Sequence, residues 1–304
     1  MALPKGLLTR ALEVPIERLA RRKLAPVTVA VLDSGIDGSH PDLAGRVVRG
    51  MIFEADGNGE VTSRESNPRT NNDVYGHGTG VASIIARIAP NVSFIDLRVL
   101  GGQNSGVGDV TIAGVEHAVR SEANLINMSL AVSEKFVPSL SGLAEIAYRR
   151  GIVMVASRRN MPLQDEGFPA ALIPCVGVDN EGKGPEGHWL YRNEVIEYSA
   201  HGVEVPVAAH GGGYTTMTGT SFATPIMCGH VALLLGAHPE LRPFEIKALL
   251  KAMAMNAVPP QASRSAGRAA ASPSRRKAAN SRRRKPLSSA KKVRRRRPPR
   301  GRTS

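Results

Sequence analysis

Three side chains far apart in the chain could together cleave a carbonyl compound: Ser221, His77 and Asp33. A serine hydroxyl becomes a nucleophile when a neighbouring base removes its proton. Imidazole suits that task at neutral pH, and a carboxylate can fix the imidazole tautomer and stabilise its cation. Ser221 stands in Gly219-Thr220-Ser221-Phe222-Ala223-Thr224-Pro225, directly before the apolar run Ile226 to Leu235. A helix starting there places the Ser221 amide among the unpaired donors of a helix N-terminus, where a developing oxyanion is stabilised. A serine at a helix start is also an ordinary N-cap, so the position acquires chemical meaning only beside the other two residues.

The elements that must carry those residues are legible around them. Val27 to Leu32 is a short β-branched apolar strand that runs into Asp33, placing a carboxylate at its C-terminal end, where open parallel sheets carry their functional groups. His77 lies between Gly76 and Gly78 and leads into Val81 to Ala86, the apolar start of a helix; the glycines allow other backbone to approach the ring. Further along, Val92 to Val99 reads as a strand, Val110 to Val119 as a helix, Asn124 to Leu130 as a strand, Leu140 to Arg149 as a helix and Ile152 to Ala156 as a strand. Val203 to Ala209 reads as one more strand, and Phe244 to Met255 as a last helix. Gly57 to Asp73 and Glu181 to Asn193 read as polar surface loops. Alternating strands and helices predict an α/β fold with a parallel sheet covered on both faces.

The stretches VAVLDSGIDGSHPDL (Val29 to Leu43), GHGTGVAS (Gly76 to Ser83) and GTSFATP (Gly219 to Pro225), in the order Asp, His, Ser, resemble the subtilisin-like serine proteases, or subtilases. The resemblance covers roughly Pro26 to Met255. It implies a three-layer α/β fold with a mostly parallel central sheet, and a serine endopeptidase acting through Asp33, His77 and Ser221 and an acyl-enzyme. It assigns Asn160 and the Ser221 amide to the oxyanion hole. An extended peptide or protein substrate would lie between Gly102, Gln103, Asn104 and Ser105 on one side and Ser129, Leu130 and Ala131 on the other. No cofactor is implied.

The chain also departs from the pattern. Arg158-Arg159 replaces small residues before Asn160, and Ala131 replaces a glycine, which narrows the first specificity pocket. Ala86 to Pro90 runs straight into the next strand without the family's calcium loop, and Asp42 alone supplies too few oxygens for calcium, so no metal is expected. Asp165 and Glu166, just beyond Asn160, suggest a preference for basic residues before the cut. The rival expectation is a protease-fold binding protein whose pocket is blocked by the two arginines and whose basic tail is the working part.

Charge divides the 304 residues. Of 40 Lys and Arg, 17 lie between Arg264 and Arg302, where there is no acid; the rest, 23 basic against 26 acidic, is near −3 although the whole chain is +14. Residues 258–304 are expected to be a disordered basic tail able to bind nucleic acid or another polyanion through phosphate neutralisation. Residues 26–257 would be the catalytic domain and 1–25 a packing arm interrupted by Pro15, with no room for a long propeptide. Two cysteines, Cys175 and Cys228, both in apolar runs, argue for buried thiols rather than a disulfide framework. With no signal-like segment and no apolar run long enough to span a bilayer, a cytoplasmic protein without membrane contact is expected.

Overall fold

The computed structural model describes residues 6–160, 166–185 and 187–257. In chain order the elements are α1 (Leu7–Leu12), α2 (Ile16–Leu19), β1 (Val27–Asp33), β2 (Val47–Ala55), β3 (Val61–Ser66), α3 (His77–Ile88), β4 (Val92–Arg98), α4 (Gly108–Arg120) and β5 (Leu125–Met128). They continue with α5 (Val137–Arg150), β6 (Val153–Ser157), β7 (Val176–Asn180), β8 (Trp189–Tyr191), β9 (Tyr198–Ala200), β10 (Val205–Ala208), β11 (Tyr214–Met217), α6 (Thr220–Ala237) and α7 (Pro243–Met253). Nine strands make one sheet in the order β3-β2-β4-β1-β5-β6-β7-β9-β8, while β10 and β11 pair separately. Every neighbouring pair in the large sheet is parallel except β2–β3 and β8–β9 at its two ends.

The apolar strands feed two cores because successive side chains point to opposite faces. Val29 and Val31 of β1 join Val81, Ile84 and Ile85 of α3 and Ile226 and Val231 of α6 on one face. Ala30 and Leu32 join Val115 of α4 and Leu140 of α5 on the other. The result is the expected three-layer arrangement, with a mostly parallel sheet between helices. Strand β1 lies in the middle, so Asp33 leaves the sheet at its centre.

Helix α6 is apolar all round because it is buried all round, packed on α3 and on β5, β6 and β7. Burying each of Ile226, Val231, Leu233 and Leu234 contributes about 1.5–3 kcal/mol before entropy is counted. This helix also corrects the expectation that no run is long enough to span a bilayer: its 18 residues suffice by length and composition. Its apolar surface is spent on the core. Among the described residues it is the one helix of that kind.

The polar loop expected over 57–73 contains β3, which pairs antiparallel with β2 while most of its side chains face solvent. The expected surface excursion over 181–193 contains β8, whose Trp189 is buried and donates its indole N–H to the Leu250 carbonyl at 2.8 Å. Residues Ser129 and Leu130, expected at the end of a strand, leave the sheet after Met128. At the N-terminus, α1 packs on α7 and α2 on α6, burying Ala11, Ile16 and Leu19. Both cysteines are free thiols inside the core, and burial pushes the Cys175 thiol up to about 12. The basic segment from residue 258, and Asp165, lie outside the described residues.

Candidate active site

Strand β1 and helix α3 bring Asp33 and His77 together. The imidazole Nδ1 lies 2.7 Å from Asp33 Oδ1; since a carboxylate only accepts, Nδ1 carries the proton and Nε2 is left as the base. Both groups are buried, with 1% of Asp33 and 5% of His77 exposed. Burial by itself lowers the imidazole pKa, but the charge and hydrogen bond of Asp33, helped by the charge of Asp73, reverse this and raise it. The Phe222 ring packs against the imidazole at 5.1 Å between centroids and helps hold its plane.

A residue with no role in the sequence reading, Asp73, organises this half of the site. Its Oδ1 accepts from the amides of Tyr75 and Gly76 and from the Ser34 hydroxyl at 2.7 Å. Its Oδ2 accepts from the amide and hydroxyl of Thr79 at 2.9 and 2.6 Å. A carboxylate thus meets the unpaired N–H groups at the start of α3 and ties them to Ser34, the neighbour of Asp33. Ser34 in turn accepts the Gly78 amide at 3.1 Å. Glycine is required there: a Cβ on Gly78 would stand 2.1 Å from the Gly35 carbonyl oxygen and 3.0 Å from the Asp33 Cβ. The sequence signal was an Asp four residues before the histidine at a predicted helix start, which is a capping pattern.

Ser221 is the second residue of α6, partly exposed, with Gly219 preceding the helix at φ +151°. Pro225, four residues on, has no N–H to donate to the Ser221 carbonyl. Ser129 replaces the missing donor: its hydroxyl bonds the Ser221 carbonyl at 3.0 Å and is itself fixed by the Asn127 amide at 3.1 Å. The Ser221 hydroxyl donates to the Ser129 carbonyl at 3.0 Å. It is therefore turned away from His77, and rotation about one staggered side-chain bond is needed to engage the base.

Asn160 follows β6 and is exposed. Its Oδ1 accepts the Thr220 amide at 3.2 Å, and the Thr220 hydroxyl donates to the Arg158 carbonyl at 2.7 Å. With the oxygen held by the helix start, Nδ2 is the donor the amide can offer to a ligand. The two arginines leave Asn160 in place: Arg158 pairs with Asp179 at 3.2 Å, and Arg159 reaches the Val132 carbonyl at 2.6 Å.

The expected substrate residues divide. Asn104 and Ser105 line a cavity of about 470 Å³ with Ser129, Leu130 and Ala131, together with Gly106, Lys135 and Phe136. Gly102 lines a different cavity, of about 320 Å³, with Val74 and Arg98, and Gln103 lines neither. Residues 101–105 close a turn: Gly101 N–H donates to the Ser105 carbonyl and Asn104 N–H to the Gly101 carbonyl, both at 2.9 Å. Two glycines and an asparagine at φ +51° make that closure easy, and it removes the Ser105 carbonyl from strand pairing.

For calcium, the fit is poor. Asp42 Oδ1 accepts the Tyr214 hydroxyl at 2.9 Å, α3 passes to β4 without an inserted loop, and no group of three His, Cys, Asp or Glu converges among the described residues.

A buried carboxylate–imidazole pair facing a serine at a helix N-terminus, on a doubly covered parallel sheet, has the parts of a serine hydrolase. The Subtilase family model, Peptidase S8, matches residues 25–270. Subtilisin DY of Bacillus licheniformis is 32% identical over 249 residues, covering 77% of this chain and 85% of the relative. The Major intracellular serine protease of Bacillus subtilis (strain 168) is 31% identical over 254 residues, covering 78% and 76%. The Intracellular serine protease of Paenibacillus polymyxa is 33% identical over 224 residues, covering 68% and 66%. Among solved structures, Sphericase superposes with a TM-score of 0.62 at 25% identity, covering 77% of this chain and 86% of that one. The chain belongs to the subtilase family and is a serine-type endopeptidase acting on peptide or protein substrates.

Proposed function

We propose that Asp33, His77 and Ser221 are its catalytic triad and that Asn160 and the Ser221 amide form its oxyanion hole. The observation that carries this reading is the buried 2.7 Å bond that leaves His77 Nε2 as a base beside the start of α6. Ser221 rotates from the Ser129 carbonyl to Nε2 and attacks the scissile carbonyl as His77 takes its proton. The oxyanion is held by Asn160 Nδ2 and the Ser221 N–H, both present before charge develops. His77 then gives the proton to the leaving amine, and Asp33 stabilises the imidazolium in between. Water repeats the attack on the ester through the same base, releasing the acid and restoring the Ser221 hydroxyl.

The substrate lies against Ser129–Ala131 with its side chains reaching the cavity that Asn104 and Ser105 close. A fluorophosphonate, which captures an activated serine, tests the assignment. Wild type should label and Ser221→Ala should not, with kcat falling by about 10⁶-fold, the size of the loss for a related subtilisin. Equal absence of labelling in both would refute it.

Two relatives carry the name intracellular serine protease, which supports a cytoplasmic enzyme. The 17 cations of residues 264–302 support polyanion binding by a basic tail that follows a catalytic domain of residues 26–257 and a packing arm of residues 1–25. Truncation after Ala257 should abolish salt-sensitive DNA retardation. A truncated protein that still shifts DNA would place the basic site in the folded part.

A further inference from the structure

We infer that Arg159 is a specificity-determining residue, closing the pocket for the side chain that precedes the scissile bond and restricting that position to small residues. The inference rests on the assignment of Ser221 as nucleophile. Once the carbonyl carbon is bonded to Ser221 Oγ and its oxygen points to Asn160, the residue that bears it lies against the segments flanking those two groups. They are Ser129–Val132, joined to Ser221 through both Ser129 bonds, and Arg158–Asn160, joined to α6 through Thr220.

A third segment, 166–168, ties the two together. Val132 N–H donates to the Phe168 carbonyl, and Arg159 N–H to the Glu166 carbonyl, each at 2.9 Å. The three walls meet closely. A Cβ placed on Gly167 would stand 2.9 Å from the Cβ of Ala131 and 2.9 Å from the Cβ of Arg159, so not even a methyl group fits between them. From there the Arg159 side chain crosses to the opposite wall, where Nη2 donates to the Val132 carbonyl at 2.6 Å. An extended, half-buried arginine spanning from one wall to the other fills the space a large substrate side chain would need.

Its neighbour behaves differently. Arg158 turns to Asp179 at 3.2 Å, which also pairs with Arg192 at 3.3 Å. The restriction to small residues competes with the preference for basic residues expected from Asp165 and Glu166: Arg159 meets Glu166 through its backbone carbonyl, and the side chain crossing the pocket is a cation. The effect is assigned to volume rather than charge, because the guanidinium is already bonded to the wall.

The experiment compares kcat/KM for peptide anilides that differ only in the residue before the cut, Ala, Phe, Lys or Glu, with fluorophosphonate labelling run alongside. Wild type should favour Ala over Phe by at least about tenfold, and Arg159→Ala should move that ratio towards Phe by about tenfold or more, the scale on which pocket size discriminates. If Arg159→Ala melts early, Arg159→Lys, which is too short to fork onto Val132, and Ala131→Gly, which trims the opposite wall, should each move the ratio in the same direction. A wild type that cleaves after Phe as well as after Ala overturns the inference. So does a ratio unmoved in variants that still label, or a wild-type profile led by Glu, which would mean the guanidinium acts by charge. Absence of labelling in wild type overturns the assignment of Ser221 itself and the inference with it.

Discussion

Asp33 and His77 occupy the β1 and α3 side of the cleft, buried, and the backbone that carries His77 is fixed by donating to Asp73 and Ser34. Across the cleft, Ser221 and Arg159 are partly exposed and Asn160 is exposed, and the Ser221 hydroxyl is bonded to a carbonyl it must leave before it can react. On the proposed assignment, the base half is assembled during folding, while the nucleophile half exchanges bonds during turnover. This division makes physical sense. A base needs its pKa and tautomer set in advance, whereas a nucleophile and its oxyanion donors must accept a carbonyl, hold it and release it. Three departures from the family pattern, Arg158, Arg159 and Ala131, lie on the exchanging side, where a change alters what is accepted and leaves the base intact.

If the division is right, damage on the two sides should show in different measurements. After Ser221 itself, the largest effect is expected at Asn160. Asn160→Leu removes Nδ2 from the oxyanion and should lower kcat by about 10²–10³-fold, or about 2.7–4 kcal/mol, the size found for such a donor in a subtilisin. KM should change little. The melting temperature should fall by only a few degrees, because the residue is exposed and, of the two Thr220 bonds lost, the hydroxyl keeps its bond to the Arg158 carbonyl. A large loss of stability with kcat preserved would place Asn160 among the framework residues and break the comparison.

Asp73 should give the converse result. Asp73→Asn keeps the shape but turns one acceptor oxygen into a donor, against either the Thr79 amide and hydroxyl or the Ser34, Tyr75 and Gly76 donors. A loss of about 2–3 kcal/mol is expected, roughly 4–12 °C in Tm for a domain of this size. The substitution also removes a negative charge that raises the His77 pKa. Catalysis requires neutral imidazole, so activity appears as pH rises through that pKa, and the acid limb of kcat/KM should shift to lower pH in the variant. Protonated His77 also contributes stability that is complete below about 6.5 and lost as pH rises through the raised folded value. A limb that stays in place while stability falls would make Asp73 a cap and nothing more.

The same division governed what could be seen in the sequence. Asp33, His77 and Ser221 were legible because each ends or begins an apolar run with a fixed period, and the three-layer fold followed from the alternation of those runs. Strand β3 was not, since VTSRES pairs through backbone at the sheet edge and has no apolar face. Trp189 was hidden because its strand is three residues long within a polar stretch. For residues 101–105 the glycines permit either an extended segment or a turn, and only the Gly101–Ser105 bond decides between them. The destination of Arg159 depends on a carbonyl 27 residues away, a contact without a local signature.

One buried carboxyl on the base side escapes the network. Asp96 lies on β4 between Val31 of β1 and Gly50 of β2, 1% exposed, and neither of its oxygens has a hydrogen-bond partner among the described residues. Burial pushes its pKa up to about 8, and the charge of Asp73 adds to this. The Ile36 amide, the Asn72 side chain and Arg98 pull the other way, close enough to act but outside hydrogen-bond geometry. The folded protein therefore keeps this proton at neutral pH, whereas the unfolded chain, at 3.8, has lost it. Between those values the folded state binds the extra proton, so stability is full below about pH 4 and declines as pH rises towards 8, by at most about 1.4 kcal/mol per unit. Asp96→Asn has nothing to ionise. From pH 6 to 7 its stability should gain on wild type by about 1 kcal/mol, a few degrees in Tm, and the gap should stop widening above pH 8. A gap constant from pH 5 to 9 would mean that Asp96 is ionised throughout and held by the fold, and that the base half has no unpartnered charge left to expose.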